Sequence, residues 1–107
     1  MKNINETSEI REFKKDLQSG IINVYATLRK VNKSGTIRQI GFYYTKNNKL
    51  LTLNKLIHDV TEYKFNDKHN GLIIGGCGMD VAFKTLSTFY SLIGIKNHEL
   101  AAKYNYL

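Results

Sequence analysis

The sequence predicts a single α+β domain, residues 1–107, in which a small antiparallel sheet packs against three to four helices. Three observations carry the prediction. Apolar residues recur at helical spacing towards both ends, they alternate with period two in between, and short polar turns join the alternating runs. A chain of 107 residues has room for one hydrophobic core and no second domain.

Ile10, Phe13 and Leu17 share one helical face, Thr7 is placed to cap the N-terminus ahead of Glu9, and Gly20 is the stop. The period changes in "NVYATLRKV", where Val24, Ala26 and Leu28 alternate with Tyr25, Thr27 and Arg29, as in a strand with two distinct faces. "NKSG" is turn chemistry, with Gly35 free to take positive φ, and "TIRQIGFYYT" resumes the alternation with Ile40, Phe42 and Tyr44 on one face. A second turn at "KNNK" leads into "LLTL", so three strands form a meander. Gly41, inside the second strand, is read as a bulge or a close backbone approach.

Asn54 is placed to cap a short helix whose face is Leu56, Ile57, Val60 and Tyr63. Tyr63 to Phe65 and Leu72 to Ile74, separated by "NDKHNG" with its Asn-Gly turn signal, predict a second small hairpin. Met79, Phe83, Leu86, Tyr90 and Ile93 trace the apolar stripe of a longer helix that Gly94 ends, and Asn97 opens a short terminal helix.

The longest apolar runs fall far short of the roughly 20 residues that cross a bilayer, and "MKNINETSEI" lacks the apolar core of a signal peptide. One cysteine excludes an intrachain disulfide and fits a reducing compartment, so the expected location is cytoplasmic. The formal charge of +7 is unevenly spread. No acidic residue lies between Asp16 and Asp59, where Arg29, Lys30, Lys33, Arg38, Lys46, Lys49 and Lys55 all fall, whereas outside that interval basic and acidic residues balance. Such asymmetry points to an anionic partner.

Two segments stand out as candidate sites. In "LRKVNKSGTIR", two of the three arginines, Arg29 and Arg38, bracket a turn that holds Lys33, Ser34 and Gly35, and arginine suits bidentate recognition of phosphate or carboxylate. If Leu28 and Ile40 both face the core, Arg38 shares that face and Arg29 takes the other, so the two meet only near the tip. In "GGCGMD", Gly75, Gly76, Cys77 and Gly78 precede a helix, so backbone amides and the positive helix end can face a negative ligand, with Asp80 in reach as a cap. Neither a Walker loop nor a GxGxxG fingerprint is present. Cys77 near a helix N-terminus also fits a nucleophile, with His58, His69 or His98 as base and nothing in the spacing to select among them. No paired ligand spacing predicts a metal, and no cofactor is expected.

The two segments together resemble a group of small phage and prophage proteins that share an "R-x-V-x-[RK]-S-G-x-x-R" strand end and a later "GGCGMDM" loop opening a helix. Arg29, Val31, Lys33, Ser34, Gly35 and Arg38 match the first pattern; Gly75 to Asp80 match the second, with Phe83 following. The resemblance spans about residues 24 to 93. Thr36 stands where the pattern has methionine, and "VAF" follows Asp80 where the pattern has "MGF". The resemblance implies a mobile genetic element inside a bacterial host and supplies no activity.

The leading expectation is therefore a non-enzymatic phage-type protein that binds an anionic partner, a nucleotide signal or a nucleic-acid-handling component of host defence, and so counteracts that defence. Direct nucleic-acid binding, with Tyr25 and Tyr43 stacking bases, and a Cys77-dependent thiol hydrolase or transferase are the alternatives. Inhibition by plugging a groove on a partner protein belongs to the same class as the first. The open edges of a three-stranded sheet predict a homodimer.

Overall fold

A computed structural model describes residues 7–30, 32–65, 72–75, 78–96 and 98–107, with the backbone alone at 72–75, 78, 79 and 98. Helix α1 (Ser8–Ser19) begins where the Thr7 hydroxyl accepts from the Ile10 amide at 3.2 Å and ends at Gly20. It buries Ile10, Phe13 and Leu17, the face its spacing predicts. Strands β1 (Val24–Lys30), β2 (Ile37–Lys46) and β3 (Lys49–Thr52) form the expected antiparallel meander. The β2–β3 turn has positive φ at both central residues, Asn47 and Asn48, the conformation that follows the twist of a tight hairpin. Helix α2 (Asn54–Val60), strand β4 (Leu72–Gly75), helix α3 (Gly78–Leu92), helix α4 (His98–Ala102) and strand β5 (Asn105–Tyr106) complete the chain.

The sheet order is β3-β2-β1-β5, with β4 beside the other half of β2. Helices and sheet enclose one core: Val24, Ala26, Ile40 and Phe42 from the strands meet Ile10, Phe13 and Leu17 of α1, Leu56, Ile57 and Val60 of α2, and Leu86, Phe89 and Tyr90 of α3. Phe13 anchors it, edge-on to Tyr44 with centroids 5.2 Å apart and tilted against Phe89 at 5.7 Å. Such ring pairs add about 0.5–1.5 kcal/mol beyond their buried area. No helix among the described residues is long and apolar enough to cross a membrane.

Five details differ from the sequence reading. The second small hairpin does not form: Tyr63 to Phe65 make no strand, and Phe65 packs edge-on against Phe42, with centroids 6.3 Å apart. β4 pairs instead with β2, and β5 runs parallel to β1, so the sheet is mixed. Asn54 does not cap α2. Its buried side chain accepts from the Phe42 amide at 2.9 Å, at a position on β2 that neither β3 nor β4 covers. An amide there has no ladder partner, and burying it unpaired is costly.

The register runs unbroken through Gly41, opposite Thr27, so there is no bulge. A Cβ at Gly41 would stand 3.0 Å from Thr27 Oγ1 and 3.2 Å from Tyr43 Cε2, and the approach there is by side chains. Phe83 is 40% exposed, while Ala82 and Phe89 join Leu86, Tyr90 and Ile93 in the core. Phe83 lies about a quarter turn from the centre of that stripe.

Candidate functional site

The β1–β2 hairpin ends in a turn held by one side chain. The Gly35 amide donates to Asn32 O at 3.2 Å, closing a four-residue turn, and Gly35 takes φ +73°. Asn32 Oδ1 accepts from the Ile37 amide at 3.1 Å. Its Nδ2 donates to both Ser34 Oγ and Thr36 Oγ1 at 2.9 Å, and those two hydroxyls lie 2.9 Å from each other. Thr36, where the resembled pattern has methionine, thus closes a triangle of polar contacts. An asparagine with all of its side-chain donors and an acceptor engaged makes the tip a built turn.

Two cations converge on this turn. Lys30 stands directly opposite Arg38 in the antiparallel register, so both side chains leave the same face of the sheet, the one that carries Ile40. Arg38 Nε donates to Gly35 O at 3.3 Å, which leaves its two terminal amino groups without a hydrogen bond among the described residues. The Lys30 stem lies over Gly35: a Cβ there would meet Lys30 Cδ at 3.3 Å and Nζ at 3.8 Å. The absent side chain is what lets the lysine lie across the turn. Lys33 is exposed at the tip itself. No acidic group pairs with Lys30, Lys33 or Arg38 among the described residues; the ion pairs found there join Lys46 to Glu12 and, at 2.9 Å, to Asp16, beyond the far end of β2.

Strand β4 brings the second motif to the same end. Ile74 stands opposite Arg38 and Gly75 opposite Ile37. β4 runs antiparallel to β2, so its C-terminal end points towards the hairpin tip, and α3 begins three residues after it, at Gly78. Arg38 is therefore flanked by Lys30 on one side and by the strand leading into the glycine segment on the other. Gly76 and Cys77 lie outside the described residues. Asp80 is exposed in the first turn of α3, where a carboxylate complements the positive helix end. Its charge reaches Tyr104, whose hydroxyl is pushed up to about 12, chiefly by burial, then by its hydrogen bond to Tyr106, with Asp80 the smallest contributor.

Arg29 stands opposite Gln39 on the other face of the sheet and is exposed. Twist and bulging do not bring it round to Arg38; Lys30 takes that place. The sequence contained the signal, because setting Leu28 opposite Ile40 in an antiparallel ladder also sets residue 30 opposite residue 38. Ser34 and Gly35 act within the turn, as a hydroxyl tied to Asn32 and as the point over which the cations gather.

The chain matches no protein-family model, no curated protein and no solved structure. Among the candidate bases for Cys77, His58 is exposed at the end of α2 with Nδ1 3.0 Å from Tyr63 O; His69 and the His98 side chain lie outside the described residues. The described residues hold no group of three or more His, Cys, Asp or Glu arranged for a metal ion.

Proposed function

We propose that the protein is a non-enzymatic binder of an anionic partner, and that the hairpin-tip end of its sheet is where the anion is held. The observation that carries this reading is the convergence of Lys30 and Arg38 on Gly35, neither paired with an acidic group among the described residues, beside the strand that leads into the glycine segment. An arginine held through Nε presents its terminal amino groups as a planar fork suited to phosphate or carboxylate oxygens, and an adjacent lysine adds a point charge. The start of α3 at that end adds the positive pole of a 15-residue helix. The resemblance to phage proteins supports a partner on the host side, a signalling nucleotide or a phosphate-bearing component of a defence system, which the protein sequesters or blocks.

Isothermal titration with a panel of cyclic and linear nucleotides tests the reading. Wild type is expected to bind at least one of them, with Arg38→Ala weakening that binding by about tenfold or more, the loss of a charge-assisted pair. No binding to any of the panel, or equal binding by wild type and Arg38→Ala, would sink it.

A further inference from the structure

We infer that the outer face of the sheet, opposite the helices, binds single-stranded nucleic acid, with Tyr25 and Tyr43 as a stacking platform. Tyr25 and Tyr43 stand directly across from each other in the β1–β2 register and point away from the core. Among the described side chains, every buried apolar strand residue comes from the other face, namely Val24, Ala26, Ile40 and Phe42. On the outer face Tyr25, Thr27, Tyr43 and Thr45 are partly exposed, and Arg29, Leu50 and Thr52 are exposed. Two aromatic side chains, adjacent and open to water, are therefore fixed by the sheet itself.

Gly41 gives this pair its shape. Tyr43 Cε2 and its hydroxyl oxygen fall 3.2 Å and 3.3 Å from where a Gly41 Cβ would be, beside Thr27 Oγ1. One edge of the ring reaches back along its own strand into the gap the glycine leaves, and the side chain as a whole stays partly exposed. A Cβ at 41 would crowd the ring by a few tenths of an ångström. A ring held against the sheet in this way has already lost the freedom it would otherwise give up on stacking.

The surroundings choose the occupant. Tyr25 lines an open cleft of about 520 Å³ together with Asn23, Asn47, Asn48, Lys49 and Leu50. The cleft offers apolar surface, amides that can meet base edges, and Lys49, which has no ion pair among the described residues. At the other end of β1, about 13 Å from Tyr25 at strand spacing, Arg29 is exposed on the same face. The strand positions of this face include no aspartate or glutamate, and the chain has none from residue 17 to 58. Bases stacking on rings between two cations describe a single strand, since a duplex keeps its base faces covered. A second copy of the chain would bring Arg29 and Lys49 against another cationic face with no acid to meet them.

This surface is distinct from the Lys30 and Arg38 cluster, which leaves the opposite face. Fluorescence anisotropy with labelled single strands of DNA and of RNA, about ten nucleotides long, and with the matching duplex, tests it. Wild type is expected to bind one or both single strands more tightly than the duplex, with affinity that falls as salt rises. Tyr43→Leu, which keeps an apolar side chain over Gly41, and Tyr25→Leu should each weaken binding between about fivefold and a hundredfold, whereas Tyr43→Trp should retain it. Arg38→Ala should leave single-strand binding largely intact, so that loss of nucleotide binding and loss of strand binding separate. Absence of any single-strand complex at low salt, equal binding of the duplex, indifference to both leucine variants, or a dimer in sedimentation that protects these tyrosines from modification would each overturn the inference.

Discussion

The two ends of strand β2 carry similar charge in sequence and opposite fates in the fold. At the end that turns into β3, Lys46 reaches α1 and pairs with Glu12 and with Asp16, and those hydrogen bonds, Glu12 first, hold its ammonium well above the ordinary lysine range. At the other end, Arg38 and Lys30 gather at Gly35, with no ion pair to either among the described residues. The first end spends its cation on attaching a helix to the sheet. The second gives its cations no such partner among the described residues. A basic residue in a list of basic residues thus says little until the fold assigns or withholds its counter-charge.

Three changes break or sharpen that contrast. The largest effect is expected from Asn32→Ala, which removes the side chain that holds Ser34, Thr36 and Ile37 at the tip. Net hydrogen-bond values predict a loss of about 2 kcal/mol, visible as a lower urea midpoint and as faster exchange of the Ile37 amide. Unchanged exchange at Ile37 would mean the tip is organised by something else.

A smaller effect, about 1–2 kcal/mol, is expected for Gly35→Ala, because the left-handed conformation at φ +73° disfavours a Cβ. The new methyl also contacts the Lys30 stem at 3.3 Å, so anion affinity should fall with stability. Gly35→Asn, which tolerates that conformation better, should recover most of the stability and less of the affinity. If both variants bind as wild type does, the gathering of Lys30 over Gly35 has no part in binding.

The third change acts at the paired end and only in alkali. The folded state raises the Lys46 pKa above its ordinary 10.5, so the pairing stabilises the fold fully below that value and its contribution fades as pH climbs past it. Comparing wild type with Lys46→Met removes the background from other titrating groups. The difference in their urea midpoints should be flat from neutral pH to about 10 and shrink beyond. A difference that already falls between pH 7 and 9 would contradict the assignment.

Much of the fold was legible because the signals are local. The α1 stripe, its Thr7 cap and its Gly20 stop lie within a few turns of one helix, and the alternation in β1 and β2 with "NKSG" between them names the hairpin and its register. The placement of Lys30 was legible too, as a consequence of that register. β4 was not. A four-residue apolar run such as "LIIG" says that it will be buried in a sheet and is silent about which strand it joins. Asn54 misled for a related reason: at the start of a helix it reads as a cap, yet a buried β2 amide between β3 and β4 outbid the helix for its oxygen.

The sequence by itself determined the period of each segment, the turns that needed Gly35 and the two asparagines at 47 and 48, and the acid-free stretch that makes the middle of the chain basic. The tertiary structure decided which cations are unpaired among the described residues, which tyrosines face water, and that the "NKSG" turn and the strand that leads into "GGCGMD", some 40 residues apart, lie at one end of one sheet. Propensity and turn chemistry act over a few neighbouring residues. Strand partners and counter-charges are chosen by the burial of distant apolar faces against one another, a preference that no short stretch of sequence contains.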